Sequence, residues 1–310
     1  MTKSSLPRPV VKWAGGKRQL LGELAERCPG DFENYFEPFF GGGALYLHLW
    51  RTGAIQGKAF LNDANPELIN LYRMIRDRTA ELEDAMRNPA FVNTREAYLA
   101  CRKRFNAIRG TEECVERAAL FLYLNHHGYN GLWRVNQKGE YNIPFGRHTK
   151  PPRFWDEKTL HAFAAALKPA VLLEGDFSGL LPKIAKGDFV YFDPPYLPVS
   201  KTANFTSYTT GAFGIAEQEQ LFEMFQEADR RGALVMLSNS VAPEILEMYD
   251  EYTIERVQVM RYINAKVSGR RGAEESIVPT VISDTNLFSP PASRDLFLVL
   301  THNSHPFYCI

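Results

Sequence analysis

A short apolar run, residues 189–192, stops at an acid, two prolines and an aromatic ring: Asp193, Pro194, Pro195 and Tyr196. Four consecutive apolar residues predict a buried strand, and open α/β sheets bind ligands at the carboxyl ends of their strands. Because the prolines fix φ and lack an N–H group, the turn is stiff and its carbonyl groups stay available. A carboxylate, a carbonyl and a flat ring together suit a planar amino group, such as the exocyclic amine of adenine.

Strands and helices alternate on both sides of this turn. Further strands are predicted at residues 34–37, 59–61, 171–173 and 234–237, and helices at residues 44–50 and 217–230 and after Pro66. This alternation is typical of an α/β fold with a doubly wound, mostly parallel sheet.

The middle of the chain has a different character. Apolar residues recur at helical spacing in residues 94–108 and 112–125, and two short runs, residues 132–135 and 140–143, flank a Lys-Gly turn as a β-hairpin. We therefore expect a helical, hairpin-bearing domain inserted into a core domain.

The predicted boundaries follow from these segments. The core domain comprises residues 1–71 and 153–288, the inserted domain comprises residues 72–152, and residues 289–310 form a tail of unknown role. Within the tail, residues 296–300 are apolar and predict an edge strand.

Composition restricts the class of protein. Lys and Arg together number 36, as do Asp and Glu, so a nucleic-acid partner has to be met by local basic patches. The four cysteines form no C-x-x-C pair, which argues against a zinc site and fits a reducing compartment. Without a signal peptide or a membrane-spanning run, we expect a cytoplasmic protein with no membrane partner.

A glycine-rich loop follows the first predicted strand and comprises Glu37, Pro38, Phe39, Phe40, Gly41, Gly42 and Gly43. Such a loop lets a ligand approach the backbone and the amides at the start of the next helix. A simple tight turn explains the glycines equally well. The spacing departs from G-x-G-x-x-G, which argues against a nicotinamide cofactor.

Three other places offer groups suited to a nucleoside. Asp63 follows the second strand, where a ribose-binding acid lies in related sheets, although a turn or helix-capping role fits it as well. Asp176 and Phe177 follow the strand at residues 171–173 and could hold an adenine ring or form an ordinary turn with a core ring. Near the N-terminus, a small-ligand loop or a basic turn is formed by Trp13, Ala14, Gly15, Gly16 and Lys17.

In this order, the N-terminal motif, the glycine loop and the Asp-Pro-Pro-Tyr turn resemble the Dam-type (alpha-group) DNA adenine-N6 methyltransferases. The resemblance spans residues 11–283 and extends to three further motifs: Tyr129-Asn130-Gly131-Leu132, Pro144-Phe145-Gly146-Arg147 and Thr202-Ala203-Asn204-Phe205-Thr206. It implies a Rossmann-like methyltransferase fold, with the core domain catalytic and the inserted domain reading the target sequence.

The resemblance also implies S-adenosylmethionine as the methyl donor and a flipped-out adenine in double-stranded DNA as the acceptor. By this analogy residues 13–17 line the cofactor pocket, and residues 37–43 pass beside its methionine part. Asp63 is expected on the ribose, and Asp176 and Phe177 around the cofactor adenine. Asp193, which also borders the cofactor, holds the target adenine with Pro194, Pro195 and Tyr196. The family's loop more often begins with Asp, so the longer Glu37 is a departure.

Residues 72–152 contain fourteen Lys or Arg and nine Asp or Glu, an excess of five positive charges. A two-stranded ribbon fits the major groove, so we expect DNA contacts from this segment, although a solvated basic face is the ordinary alternative. The candidates are Arg102, Asn130, Leu132, Arg134, Asn136, Lys138, Arg147 and Lys150. A second basic run, with no acid from Arg256 to Arg271, predicts a phosphate-binding loop that includes Arg270 and Arg271.

Two other functions remain open at this point: an S-adenosylmethionine-dependent RNA methyltransferase, and a non-catalytic nucleic-acid-binding module. We expect a monomer that needs no metal ion, associated with the nucleoid in a prokaryotic or phage setting. The recognition sequence is not determined by these residues, although G-A-T-C is the family's common target. A restriction-modification, housekeeping or phage role is equally undetermined.

Overall fold

The structure is a computed structural model that describes residues 6–15, 20–110, 113–197, 213–257, 278–281 and 299–300. It divides into two compact units. The first unit comprises Met1–Arg18 and Phe39–Gly179, and the second comprises Gln19–Pro38 and Leu180–Ile310. These units do not follow the expected boundaries of the core and inserted domains, whose functional division stays a prediction.

In chain order the elements are α1 (Leu21–Arg27), β1 (Tyr35–Glu37), α2 (Ala44–Thr52), β2 (Ala59–Asp63), α3 (Pro66–Asp77), α4 (Thr79–Met86), α5 (Arg95–Ala107), α6 (Val115–His127), α7 (Glu157–Leu167), β3 (Ala170–Glu174), β4 (Phe189–Phe192), α8 (Ile215–Arg230), β5 (Leu234–Ser238), α9 (Pro243–Met248), β6 (Glu255–Val257), β7 (Val278–Val281) and β8 (Val299–Leu300). Short 3₁₀ turns occupy Tyr129–Gly131 and Phe177–Lys183.

In the first unit, β2 and β3 pair in parallel and are covered by helices. The register places Asp63 opposite Glu174. Helix α3 begins where the sequence predicts, because Asn65 caps it by accepting from the amide of Glu67 at 3.0 Å and Pro66 fills the first helical position. Helix α3 packs against α6 and α7, and these contacts fix the long helices beside the strands.

A buried ion pair joins α3 to α6. Arg117 donates through Nε to Oε2 of Glu67 at 3.0 Å and through Nη2 to the other oxygen, and both side chains are 8% exposed. Its Nη1 donates to the carbonyl of Ile108 at 2.9 Å, and its guanidinium lies 5.7 Å from the ring centre of Phe105. Each charge is therefore hydrogen-bonded, which is the condition under which a buried pair is tolerated.

The predicted hairpin is present but short. Val135 and Tyr141 form an isolated antiparallel bridge, and the amide of Asn136 donates to the carbonyl of Glu140 at 2.9 Å. The side chain of Asn136 closes the turn by accepting from the amides of Lys138 and Glu140. The two runs therefore pair as predicted, without forming regular strands.

In the second unit, β1, β4 and β5 are parallel neighbours in that order. Beyond β5, the strand β8 pairs antiparallel with β5 and parallel with β7, and β7 pairs antiparallel with β6. The tail residues 299–300 therefore form a strand between two neighbours, and the prediction of an edge strand there was wrong.

The predicted α/β class is confirmed, and every predicted strand outside the hairpin is present with its ends moved by no more than a few residues. One helix differs from its predicted bounds. Helix α6 begins at Val115 rather than near residue 112, and Cys114 is its N-cap. Within the described residues, no helix is both long and apolar enough to cross a membrane.

Removing one partner of the buried pair should be costly. We expect Arg117→Met to lower the free energy of unfolding by about 3–5 kcal/mol, because Glu67 then stays buried without its counter-charge. Equilibrium urea denaturation measures the loss. The matched control is Arg104→Met, which breaks the exposed pair with Glu116 and should change stability little. Equal losses in the two variants would contradict this account.

Candidate active site

The glycine loop is shaped by close packing in the first unit. Gly43 has φ +66°, and a Cβ there would stand 2.4 Å from the ring of Phe40. Gly41 has φ +48°, and a Cβ there would stand 2.8 Å from Cδ1 of Trp13. Only glycine satisfies both the positive φ and the close approach. The loop therefore passes directly against the Trp13 indole.

Asp63 holds the glycine loop through its carboxylate. Oδ2 accepts from the amide of Gly41 and Oδ1 from the amide of Asn65, both at 2.9 Å. Burial raises the pKa of Asp63 above its ordinary value, while the two amide hydrogen bonds act in the opposite direction. Asp63 therefore has the turn-forming role that the sequence left open, and its acceptor oxygens are held in fixed directions.

Asp176 and Phe177 follow β3 beside Asp63. The amide of Gly175 donates to the backbone carbonyl of Asp63 at 3.2 Å. The Phe177 ring is buried, with its centre 5.2 Å from that of Phe39. Asp176 is exposed and accepts from the amide of Ser178 at 2.9 Å. The parallel register of β2 and β3 thus brings these residues to the edge where Asp63 lies.

The first unit therefore brings together several of the residues that were predicted to bind a cofactor. Trp13 and Gly41 pack together, Gly41 and Asp63 are hydrogen-bonded, and Phe39 packs on Phe177. Ala14 and Gly15 are exposed beside Trp13. Gly16 and Lys17 lie outside the described residues, and their roles stay predictions.

The Asp-Pro-Pro-Tyr turn lies in the second unit, at the end of β4. Oη of Tyr196 donates to Oδ1 of Asp193 at 3.1 Å, which orients the half-buried carboxylate. Pro194 is buried, and no residue in the described part of the chain donates to its carbonyl oxygen. An oriented carboxylate and an adjacent carbonyl are the two acceptors expected from the sequence.

A pair of buried amides that the sequence analysis missed holds this turn. Nε2 of Gln218 donates to the carbonyl of Pro195 at 2.9 Å, and its Oε1 accepts from Nδ2 of Asn239 at 2.8 Å. Both amide side chains are fully buried. Asn239 directly follows β5, the parallel neighbour of β4, so an Asn at the end of an adjacent strand was the available signal.

Glu37 is 3% exposed and lies at the end of β1 in the second unit. Its Oε2 accepts from the hydroxyl of Tyr35 at 2.9 Å. Burial, with a smaller contribution from Glu37, raises the pKa of the Cys28 thiol to about 12. Cys28 therefore stays a neutral thiol near neutral pH, which argues against thiolate chemistry at this residue.

The candidate DNA-binding residues of the first unit divide by exposure. Asn130, Leu132, Arg134, Lys138, Arg147 and Lys150 are exposed. Arg102 is half-buried and donates to the carbonyl of Ile143 at 2.9 Å, and Asn136 forms the hairpin turn, so both have structural roles. Tyr129, 52% exposed, and Val135 were not predicted as contacts but lie on the same segment.

Other predicted motifs lie outside the described residues, namely Thr202-Ala203-Asn204-Phe205-Thr206 and the basic residues Arg261, Lys266, Arg270 and Arg271. Arg256 belongs to β6. The phosphate-binding loop therefore stays a prediction.

The chain has known relatives over most of its length. The chain is 40% identical over 275 residues to a type II methyltransferase of Lactococcus lactis subsp. cremoris, covering 87% of this chain and 94% of that protein. It is 37% identical over 277 residues to a type II methyltransferase of Methanocaldococcus jannaschii, covering 85% and 95%. It is 36% identical over 282 residues to the DNA adenine methylase of Escherichia coli (strain K12), covering 89% and 97%.

A family model described as D12 class N6 adenine-specific DNA methyltransferase matches residues 13–263, which is most of the chain. The match begins at Trp13 and includes the glycine loop, the hairpin and the Asp-Pro-Pro-Tyr turn. The chain therefore belongs to the D12 class of N6 adenine-specific DNA methyltransferases.

Proposed function

We propose that this DNA adenine methyltransferase transfers a methyl group from S-adenosylmethionine to N6 of an adenine flipped out of duplex DNA. The proposal rests on one observation in the second unit. Tyr196 orients the Asp193 carboxylate beside the Pro194 carbonyl, to which no described residue donates. This pair of acceptors matches the two N–H groups of an adenine amine.

The first unit supports S-adenosylmethionine as the cofactor. A side chain at Gly41 would collide with the Trp13 indole, so this position has to be glycine. Because glycine has no side chain, the backbone of the loop also stays open to a ligand. The half-buried Asp63 carboxylate retains lone pairs for a ribose diol, since each of its oxygens accepts one amide hydrogen bond and can accept two. Trp13, Asp63 and Phe177 would hold the cofactor. When bound, S-adenosylmethionine supplies an electrophilic methyl group on a sulfonium.

The remaining chemistry is that of the adenine amine. Its lone pair is delocalised into the ring, which makes N6 a poor nucleophile. Asp193 and the Pro194 carbonyl each accept one N–H, which favours a pyramidal nitrogen and stabilises the positive charge that develops as the N6–carbon bond forms and the methyl–sulfur bond breaks. The sulfur would keep the bonding electron pair as a neutral thioether, and one N6 proton would leave along the hydrogen bond to Asp193, which restores a neutral amine. This is stabilisation by preorganised acceptors, and holding N6 in line with the methyl group adds the effect of orientation.

Base flipping accounts for the aromatic residue of the turn. An enzyme cannot reach N6 in the required geometry inside the duplex, so the adenine has to leave the base stack. The ring of Tyr196 then stacks on the extruded base while its hydroxyl continues to hold Asp193. Pro195, tied to Gln218, keeps the turn rigid.

The exposed hairpin segment supplies the DNA contacts. Leu132 is 40% exposed and lies near the exposed Arg134 and Lys138. Apolar side chains contact thymine methyl groups, and Arg and Lys contact guanine or phosphate. This face therefore suits a major groove. Cytoplasmic location and a monomeric state stay predictions.

Removing the carboxylate of the turn should reduce methyl transfer far more than it weakens cofactor binding. We expect Asp193→Ala to lower kcat on duplex DNA by about 100-fold or more, because a preorganised acceptor is lost. Radiolabelled methyl transfer measures the rate, and calorimetry measures S-adenosylmethionine binding. Asp63→Ala should show the opposite pattern, with weakened cofactor binding. The exposed Asp250→Ala variant is the control. Near-normal methylation by Asp193→Ala, or a preference for RNA in the wild type, would refute the assignment.

Gln218 should act by positioning the turn. We expect Gln218→Ala to lower kcat by about tenfold at unchanged KM for DNA, since Pro195 loses its donor and Asn239 its acceptor. Steady-state kinetics separates kcat from KM, and circular dichroism reports folding. The exposed Gln220→Ala on the same helix is the control. A folded Gln218→Ala variant with normal kcat would show that the amide is structural only.

The hairpin charges should contribute to the salt dependence of DNA binding. For the double variant Arg134→Ala/Lys138→Ala, we expect the slope of log K against log salt concentration to shrink by about one to two, because fewer counterions are released. Fluorescence anisotropy at several salt concentrations measures the slope. The double variant Lys168→Ala/Arg230→Ala removes the same charge from other exposed positions. An equal change in both would argue for a general charge effect.

A further inference from the structure

Two helices of the first unit bring together a histidine and two carboxylates that the methyl-transfer site does not use. Glu157 and His161 lie one turn apart on α7, and Glu83 lies on α4. One carboxylate oxygen from each Glu and one ring nitrogen of His161 all lie within 4.8 Å of one another. These are nitrogen and oxygen ligands of the kind that late first-row metal ions accept.

The buried member of this cluster lacks a hydrogen-bond partner. Glu83 is 8% exposed, and its Oε1 is inaccessible and accepts no hydrogen bond. Nε2 of His161 lies 3.0 Å from that oxygen without the geometry of a hydrogen bond. Arg87 follows Glu83 by one helical turn, but its guanidinium lies over the Trp155 ring, 5.6 Å from the ring centre. A buried carboxylate oxygen without a well-placed donor is costly, and a bound cation would compensate for that cost.

We propose that Glu83, Glu157 and His161 bind a divalent transition-metal ion of the zinc, cobalt or nickel type. Metal–ligand bonds of about 2.0–2.2 Å place neighbouring ligands of a tetrahedral ion roughly 3.4 Å apart. The separation of 3.0 Å between Nε2 and Oε1 is close to that value. Glu157 is exposed, so a small side-chain rotation brings its oxygen to the same distance. Water fills the remaining position.

The ion would tie α4 to α7. Helix α4 lies in the predicted inserted domain, and α7 follows it in the predicted core domain, so the site links the two segments within the first unit. Its role is structural, because none of its ligands belongs to the proposed methyl-transfer site. The expectation that no metal ion is needed for methyl transfer is unchanged.

Cobalt provides a direct test because its d–d bands report ligand geometry. Tag-free, chelator-treated full-length protein is titrated with Co²⁺, and the visible absorbance is followed. We expect saturation at one equivalent, displacement of Co²⁺ by Zn²⁺, and a rise in Tm with Zn²⁺ that chelation reverses, since the ion binds only the folded state.

Variants distinguish this site from adventitious binding. His161→Ala and Glu157→Gln change exposed side chains, so both should fold normally, and each should weaken Co²⁺ binding by more than about tenfold. Glu83→Gln should do the same with little change of shape. His48→Ala, on α2, is the matched control and should bind as the wild type does. Absence of one-equivalent binding in the wild type, or undiminished binding in His161→Ala, would overturn the proposal and leave only a direct contact between Glu83 and His161.

Discussion

The register of the parallel strands decides which side chains meet at the sheet edge in each unit. In the first unit Asp63 lies opposite Glu174, so Gly175, the residue after β3, donates to the backbone carbonyl of Asp63, whose carboxylate holds Gly41. In the second unit Phe192 lies opposite Leu237, which brings the Asp193 turn and Asn239 to one edge. A slip of one residue in either pair would turn these side chains to the other face.

Much of the fold could be predicted because its signals are local. The apolar run at residues 189–192 is β4 without change, Pro66 begins α3, and the glycine loop is followed by α2 as expected. The α/β class and the family followed from these ordered motifs. The site could be predicted in part for the same reason, since Asp63 and Phe177 lie within a few residues of the carboxyl ends of predicted strands. The structure then showed the contacts that join Asp63 to Gly41 and Phe177 to Phe39.

The remaining features depend on contacts between distant parts of the chain. The residues next to Gln218 in sequence form no motif that predicts a functional role. Its role is visible only in the structure, where α8 contacts Pro195 and Asn239. Glu83 and His161 are separated by two other helices in sequence. No cysteine motif or other local pattern therefore marks them as a possible metal site. The strand order around β8 likewise depends on pairing that apolar content alone does not specify.

The proposed methyl transfer depends on two acceptors, the Asp193 carboxylate and the Pro194 carbonyl, and on the N6 amine of one adenine. A crystal structure of the protein with duplex DNA and an unreactive cofactor analogue tests it most directly. The account predicts an extruded adenine whose N6 lies about 2.7–3.2 Å from both a carboxylate oxygen of Asp193 and the carbonyl oxygen of Pro194. A target adenine still stacked in the duplex, or an N6 bonded to other groups with Asp193 turned away, would contradict it.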